Sequence, residues 1–274
     1  LNLLGTGYAI NTNITGGTIR IAKDVQIYRT INWGNAVMEL NTYYDASVFS
    51  VAGSPFPTFV INKFYTRSQN VSLIGNVTFA NDLTIQAGTL TLGSGTCTVN
   101  GDLDIYGNLA CSYASSQLNV TGNLTYYSGS SAAIADGNTN CQNSFVVQSG
   151  ATVSYAAAAT LYMKSADASL NILAAGTQLG ELFVAGTSGT DSLTIVPGSI
   201  SPLVLNGNLT VNSGNTFDLT NAGLTIAGNL TLNGRLNTYA RTVEITGYPI
   251  FSATSVLVMS GGIFRWFDST SPYS

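Results

Sequence analysis

A five-residue phrase returns along the middle of the chain: Gly75-Asn76-Val77-Thr78-Phe79, Gly101-Asp102-Leu103-Asp104-Ile105, Gly122-Asn123-Leu124-Thr125-Tyr126, Gly207-Asn208-Leu209-Thr210-Val211 and Gly228-Asn229-Leu230-Thr231-Leu232. Its third and fifth residues are apolar and its fourth is polar, the alternation of a half-buried strand that follows a tight turn. The step from Gly101 to Gly122 is 21, and so is the step from Gly207 to Gly228. The step from Gly122 to Gly207 is 85, close to four such periods. Gly75 precedes Gly101 by 26 and Gly247 follows Gly228 by 19, so the period accepts insertions.

A period in the twenties built of strand phrases, with no helical pattern, implies a solenoid. The lap from 207 to 227 holds three short strand phrases: Leu209-Thr210-Val211, Thr216-Phe217-Asp218-Leu219 and Leu224-Thr225-Ile226. At about 3.3 Å per strand residue the lap has a contour of roughly 70 Å, enough for three short faces around an apolar centre. The expected fold is an all-β parallel β-helix with a β-rich N-terminal cap or domain. A β-sandwich or an antiparallel barrel is also Thr-rich, but neither returns strand–turn–strand at this spacing.

Composition narrows the chemistry. Hydrophobic residues make up 45% of the 274, enough for a substantial core, while charged residues make up 8% against a usual share of about 25%. Histidine is absent, which removes Ser–His–Asp and Cys–His catalysis and the commonest metal ligand. A net charge of −4 and a pI near 4.5 argue against nucleic acid as a partner. No run of 18 apolar residues offers a membrane-spanning helix. The start at Leu1 without Met suggests a processed or trimmed chain. Cys97, Cys111 and Cys141 cannot all pair, and their spacing fits no metal site. Cys97 and Cys111 are expected to be core thiols or one stacked disulfide.

Three regions follow. Residues 1–70 lack the phrase and form the β-rich cap or assembly region, with alternation in Thr18-Ile19-Arg20-Ile21. Residues 71–250 form the solenoid, its laps close to the period of the phrase. It is loosest between 127 and 180, where Ala156 to Ala159 and the loop Asp136 to Asn140 read as an insertion. Residues 251–274 read as an apolar cap or a strand that meets a partner. The first region carries five basic and three acidic groups, the second three basic and nine acidic, so the two portions differ in sign.

The one carboxylate cluster, Asp82, Asp102 and Asp104, has no Arg or Lys beside it to stabilise an enolate or neutralise a sugar acid. It reads as solvated surface. No catalytic residue, metal site or cofactor is expected, and the chain reads as a non-enzyme. Seven sequons are glycosylation candidates: Asn13, Asn70, Asn76, Asn119, Asn123, Asn208 and Asn229. Gly-Asn-Leu-Thr manufactures a sequon by itself, so the repeat accounts for several of them.

The Gly-Asn-Leu-Thr phrases at this period resemble β-helical surface proteins of prokaryotes: filamentous-haemagglutinin-like and autotransporter-passenger adhesins, and subunits of extracellular filaments or sheaths. The resemblance covers roughly residues 71–250 and is architectural. It implies secretion, a cell-surface position and work done by shape, adhesion or assembly. The short chain, with an unrelated N-terminal third, favours an assembling subunit over a long stalk.

The expected function is therefore a structural subunit that polymerises with itself, through Leu1, Leu3 and Leu4 at one end and Val256, Val258, Phe264, Trp266 and Phe267 at the other. The alternative is an adhesin or carbohydrate-binding β-helix with cell-surface glycans as partners, and after it a carbohydrate-active enzyme.

Overall fold

The computed structural model describes residues 2–3, 14–28, 31–41, 44–50, 54–62, 70–165, 167–186 and 191–267. It is an all-β parallel β-solenoid of about 11 turns, with no helix among the described residues. Its described strands form three sheets of 9, 12 and 13 strands, here called sheets 1, 2 and 3, of which sheet 1 begins at Val77–Phe79. The chain visits them in that order on each lap: Val77–Phe79, Leu83–Ala87 and Thr89–Leu92, then back to sheet 1 at Thr96–Val99. Every strand pairs in parallel with the equivalent strand one lap away, which is the pairing the repeat phrases required.

Alternation becomes burial directly. In Leu103–Ile105, Leu209–Val211 and Leu230–Leu232 the first and third residues are buried and the middle one is half-buried. In-register pairing then stacks like on like: Leu83, Leu103, Leu124 and Phe145 form one inward row of sheet 2. Aromatic residues fill the wider cross-sections. Phe56, Phe59 and Phe79 meet with centroids 5.3–5.7 Å apart, and Phe145 lies between Tyr126 and Tyr155. Each fully buried Leu or Phe contributes about 1.5–3 kcal/mol of apolar transfer free energy.

The reading of the step from Gly122 to Gly207 as close to four whole periods, which would put the phrases on one inward row, needs correcting. The phrases do not share a single row. Leu103 and Leu124 are paired neighbours on sheet 2, whereas Leu209 pairs with Leu182 and Leu230 on sheet 1. The gap from Gly122 to Gly207 is therefore not four whole laps; it is three laps plus the step through sheet 3 to sheet 1. The shift arises because laps lengthen in between: Phe145, Leu170 and Ile195 are partners on sheet 2 at spacings of 25. The added length falls between the strands Thr160–Met163 and Asp167–Ile172 and between Glu181–Val184 and Ser192–Ile195. The segment 136–140, read as an insertion, instead supplies the regular sheet 1 strand Asn138–Cys141.

The stack crosses residue 70: Asn70–Ile74 pairs with Ala46–Ser50 on one side and with Thr89–Leu92 on the other. What changes there is the cross-section. Among the described residues, the laps before Val77 place strands only in sheets 2 and 3, with a single bridge, Phe56 to Phe79, prefiguring sheet 1.

Candidate assembly surface

The asparagines of the phrase sit at corners, where the chain turns between sheets. Asn76 Oδ1 accepts the backbone N–H of Thr96 at 2.9 Å, one lap on. Asp82 does the same for Asp102 (2.9 Å), Asp102 for Asn123 (2.7 Å) and Asn123 for Ser144 (3.3 Å). On the corner that enters sheet 1, Asn208 accepts from Asn229 and Asn229 from Tyr248, both at 2.8 Å. Asn208 Nδ2 also donates to Glu181 Oε1.

The phrase thus needs Asn or Asp because a side-chain oxygen holds the next lap's N–H. It needs Gly because a Cβ at Gly122 would strike the Asp102 carboxylate and the Gly101 carbonyl of the lap before. Gly122 N–H instead donates to Gly101 C=O at 2.9 Å.

This ladder locates the sequons. Asn76, Asn123, Asn208 and Asn229 belong to it. Asn119 lies on the outer face of sheet 1, where it accepts from Asn140 Nδ2 at 2.8 Å. Asn70 is exposed at the start of its strand, its N–H bonded to Asp45 Oδ1 at 2.8 Å. Asn13 lies outside the described residues.

The carboxylates take up the same corner role. Asp82 and Asp102 are ladder members, while Asp104 accepts from the Tyr127 hydroxyl. Burial, and then the neighbouring Asp102 and Asp82, push the Asp104 carboxyl above its ordinary range in spite of that hydrogen bond. Among the described residues, no three His, Cys, Asp or Glu side chains are grouped to hold a metal ion.

The three cysteines are buried free thiols. Cys97 stacks with Leu118 in sheet 1 and Cys111 with Ile134 in sheet 3, so the two do not form the stacked pair considered from sequence. Burial raises the Cys97 thiol to about 12 and the Cys141 thiol to about 11.

The far end of the stack is built differently from its flanks. The final lap consists of Pro249–Phe251, Val256–Met259 and Ile263–Trp266, the outermost strands of sheets 1, 2 and 3. Parallel register carries the core rows into it: Phe251 follows Leu232, Leu257 follows Leu236, and Phe264 and Trp266 follow Val243 and Ile245. No further lap covers these positions among the described residues, so the core ends in an open apolar face. Phe251 and Phe264 meet there at 6.5 Å, and Tyr248 and Trp266 at 6.2 Å.

Of the 14 large hydrophobic residues exposed among the described residues, eight fall between Tyr248 and Phe267. Val256, Trp266 and Phe267, expected from sequence, are exposed there. Phe264 is half-buried, and half-buried Val258 accepts the Thr238 hydroxyl through its carbonyl. Phe251, Met259 and Ile263 lie in the segment 251–274 expected to be an apolar cap or partner-contact strand, while Ile250 falls just before it. For Phe251 the period was the available signal, because it carries the inward row of Leu232 to that position, whereas Ile250 and Ile263 continue the outward rows of Thr231 and Thr242.

At the opposite end the strand Asn2–Leu3 pairs with Val25–Ile27 as the outermost strand of sheet 3, which places Leu3 on that edge. Leu1 and Leu4 lie outside the described residues.

No family model, curated protein or solved structure matches the chain. No helix is long and apolar enough to cross a membrane among the described residues.

Proposed function

We propose that the chain is a non-enzymatic structural subunit that joins end to end with copies of itself into an extracellular filament, sheath or surface layer. The observation that carries this reading is the concentration of exposed apolar side chains on one terminal lap. Large apolar patches on a soluble protein mark interaction surfaces. Here the patch coincides with strand edges whose N–H and C=O groups are spaced to accept another parallel lap. A second solenoid docked on this face continues both the hydrogen-bond ladders and the inward rows. The extracellular setting rests on the resemblance to prokaryotic β-helical surface proteins and on the charge-poor, sequon-bearing exterior.

A second reading, a cell-surface adhesin or carbohydrate-binding β-helix, draws on two outward aromatic pairs. Tyr106 and Tyr127 stack at 4.0 Å, and Tyr162 and Phe183 at 4.8 Å with Lys164 over the Tyr162 ring.

Negative-stain microscopy of the purified protein separates the two. Assembly predicts single-file polymers with an axial repeat of roughly 50–60 Å, about 11 laps at about 4.8 Å each. Isolated particles at every concentration contradict it. Protease shaving of intact cells tests the location: a surface subunit is cleaved without lysis, an internal one is not.

A further inference from the structure

On the flank of the last four laps, the terminal lap included, a cavity of about 410 Å³ opens beside sheet 3, lined by Ser201, Pro202, Thr225, Arg241, Glu244 and Arg265 among others. Parallel register builds one wall, because Thr225, Glu244 and Arg265 are consecutive partners in the outward row of sheet 3. Arg265 Nη1 bonds Glu244 Oε1 at 2.8 Å. Arg241 reaches in from the preceding corner, its Nε donating to the Thr220 carbonyl at 2.9 Å. That bond fixes the guanidinium, while among the described residues its terminal amino groups have no acceptor. Ser201 Oγ accepts the Gly223 N–H at 3.0 Å, so its own proton is left to donate.

Two guanidinium groups and one carboxylate give this cavity a local charge of +1 in a chain of net charge −4. A planar guanidinium with free amino groups matches a carboxylate bidentately. Glu244 sets a second requirement. It repels a ligand that presents only anionic oxygens, as sulfate does, and accepts from a hydroxyl. Pro202 offers an apolar patch, and the volume lies in the lower part of the range for small-molecule sites, roughly 300–1,000 Å³.

We propose that this cavity binds an acidic sugar of the uronic acid class. Its carboxylate lies on Arg241, its hydroxyls meet Glu244, Ser201 and Thr225, and a C–H face rests on Pro202. The site opens on the flank of the stack, with Arg265 contributed by the terminal lap.

Isothermal titration calorimetry of the full chain at low salt tests this, with glucuronate, glucose and inorganic sulfate as probes. Glucuronate is expected to bind more tightly than either of the others, and its affinity to fall about tenfold or more in Arg241→Gln and in Arg265→Gln. Arg265 is half-exposed on the last lap, so that variant decides the matter if Arg241→Gln fails to fold. No glucuronate binding, equal binding of glucose or sulfate, or an unchanged affinity in the folded variants overturns the proposal.

Discussion

The side-chain oxygen of Asn208 accepts the backbone N–H of Asn229 one lap on, at 2.8 Å, and Asn229 repeats the contact to Tyr248. At these corners the N–H would otherwise be left without an acceptor as the chain turns between sheets. Asn208→Ala removes that acceptor and the bond to Glu181 together, and should cost about 1–3 kcal/mol in denaturant unfolding. Asp102→Asn keeps an oxygen for the Asn123 N–H and should stay within about 0.5 kcal/mol of the parent chain.

The inward and outward positions of a phrase differ sharply. Leu209 is fully buried and Thr210 half-buried. Leu209→Ala should cost about 2–5 kcal/mol and Thr210→Ala under about 1 kcal/mol, compared by the same unfolding measurement. Equal costs would mean that the strand faces are assigned the wrong way round.

The fold was legible because period and alternation act together: Gly-Asn-Leu-Thr, recurring at a near-constant spacing, contains the turn, the strand and the lap length. The phase of the phrases was not legible. Two corners of the lap make the same demand for an oxygen acceptor and a side-chain-free neighbour, so one phrase serves sheet 2 at Leu124 and sheet 1 at Leu209. The ladder role of Asn76, Asn123, Asn208 and Asn229 was hidden for a related reason. A sequon and a corner acceptor use the same letters, and only the pairing between laps shows what the oxygen touches. The terminal face was half legible, since Trp266 and Phe267 stood out as apolar while Phe251 acquires its meaning from the row that ends in Leu232.

Thiol reactivity tests the core. Burial holds Cys97 near 12 and Cys141 near 11, and all three cysteines are enclosed. A thiol-specific chromogenic reagent at pH 8 should find no reactive sulfur in the native protein and three after denaturation. Two missing thiols in the denatured protein would reveal a disulfide.

Asp104 gives a pH dependence of known sign. Its carboxyl is raised by burial and then by Asp102 and Asp82, so the folded state holds the proton more tightly than the unfolded chain. Ionisation therefore opposes folding once the pH exceeds the raised value, and the penalty disappears below the ordinary value of 3.8. Asp104→Asn, which still accepts from Tyr127, should be slightly more stable than the parent at pH 7, and the difference should vanish at pH 3. A larger difference at pH 3 than at pH 7 would reverse the sign.

The terminal lap decides the functional reading, and charge substitution probes it better than truncation. Removing residues 255–274 would uncover Leu236, Val243 and Ile245, all fully buried, and so rebuild an apolar end one lap back. Phe251→Asp with Trp266→Asp places two charges on side chains that are already about half exposed, 46% and 50%, leaving the interior intact. The direct measurement is sedimentation velocity of the parent chain and this double variant over a concentration series, with circular dichroism to show that both are folded. End-to-end assembly predicts a parent that forms growing oligomers and a variant that stays monomeric. A parent that is monomeric throughout, or a folded variant that assembles as the parent does, contradicts it.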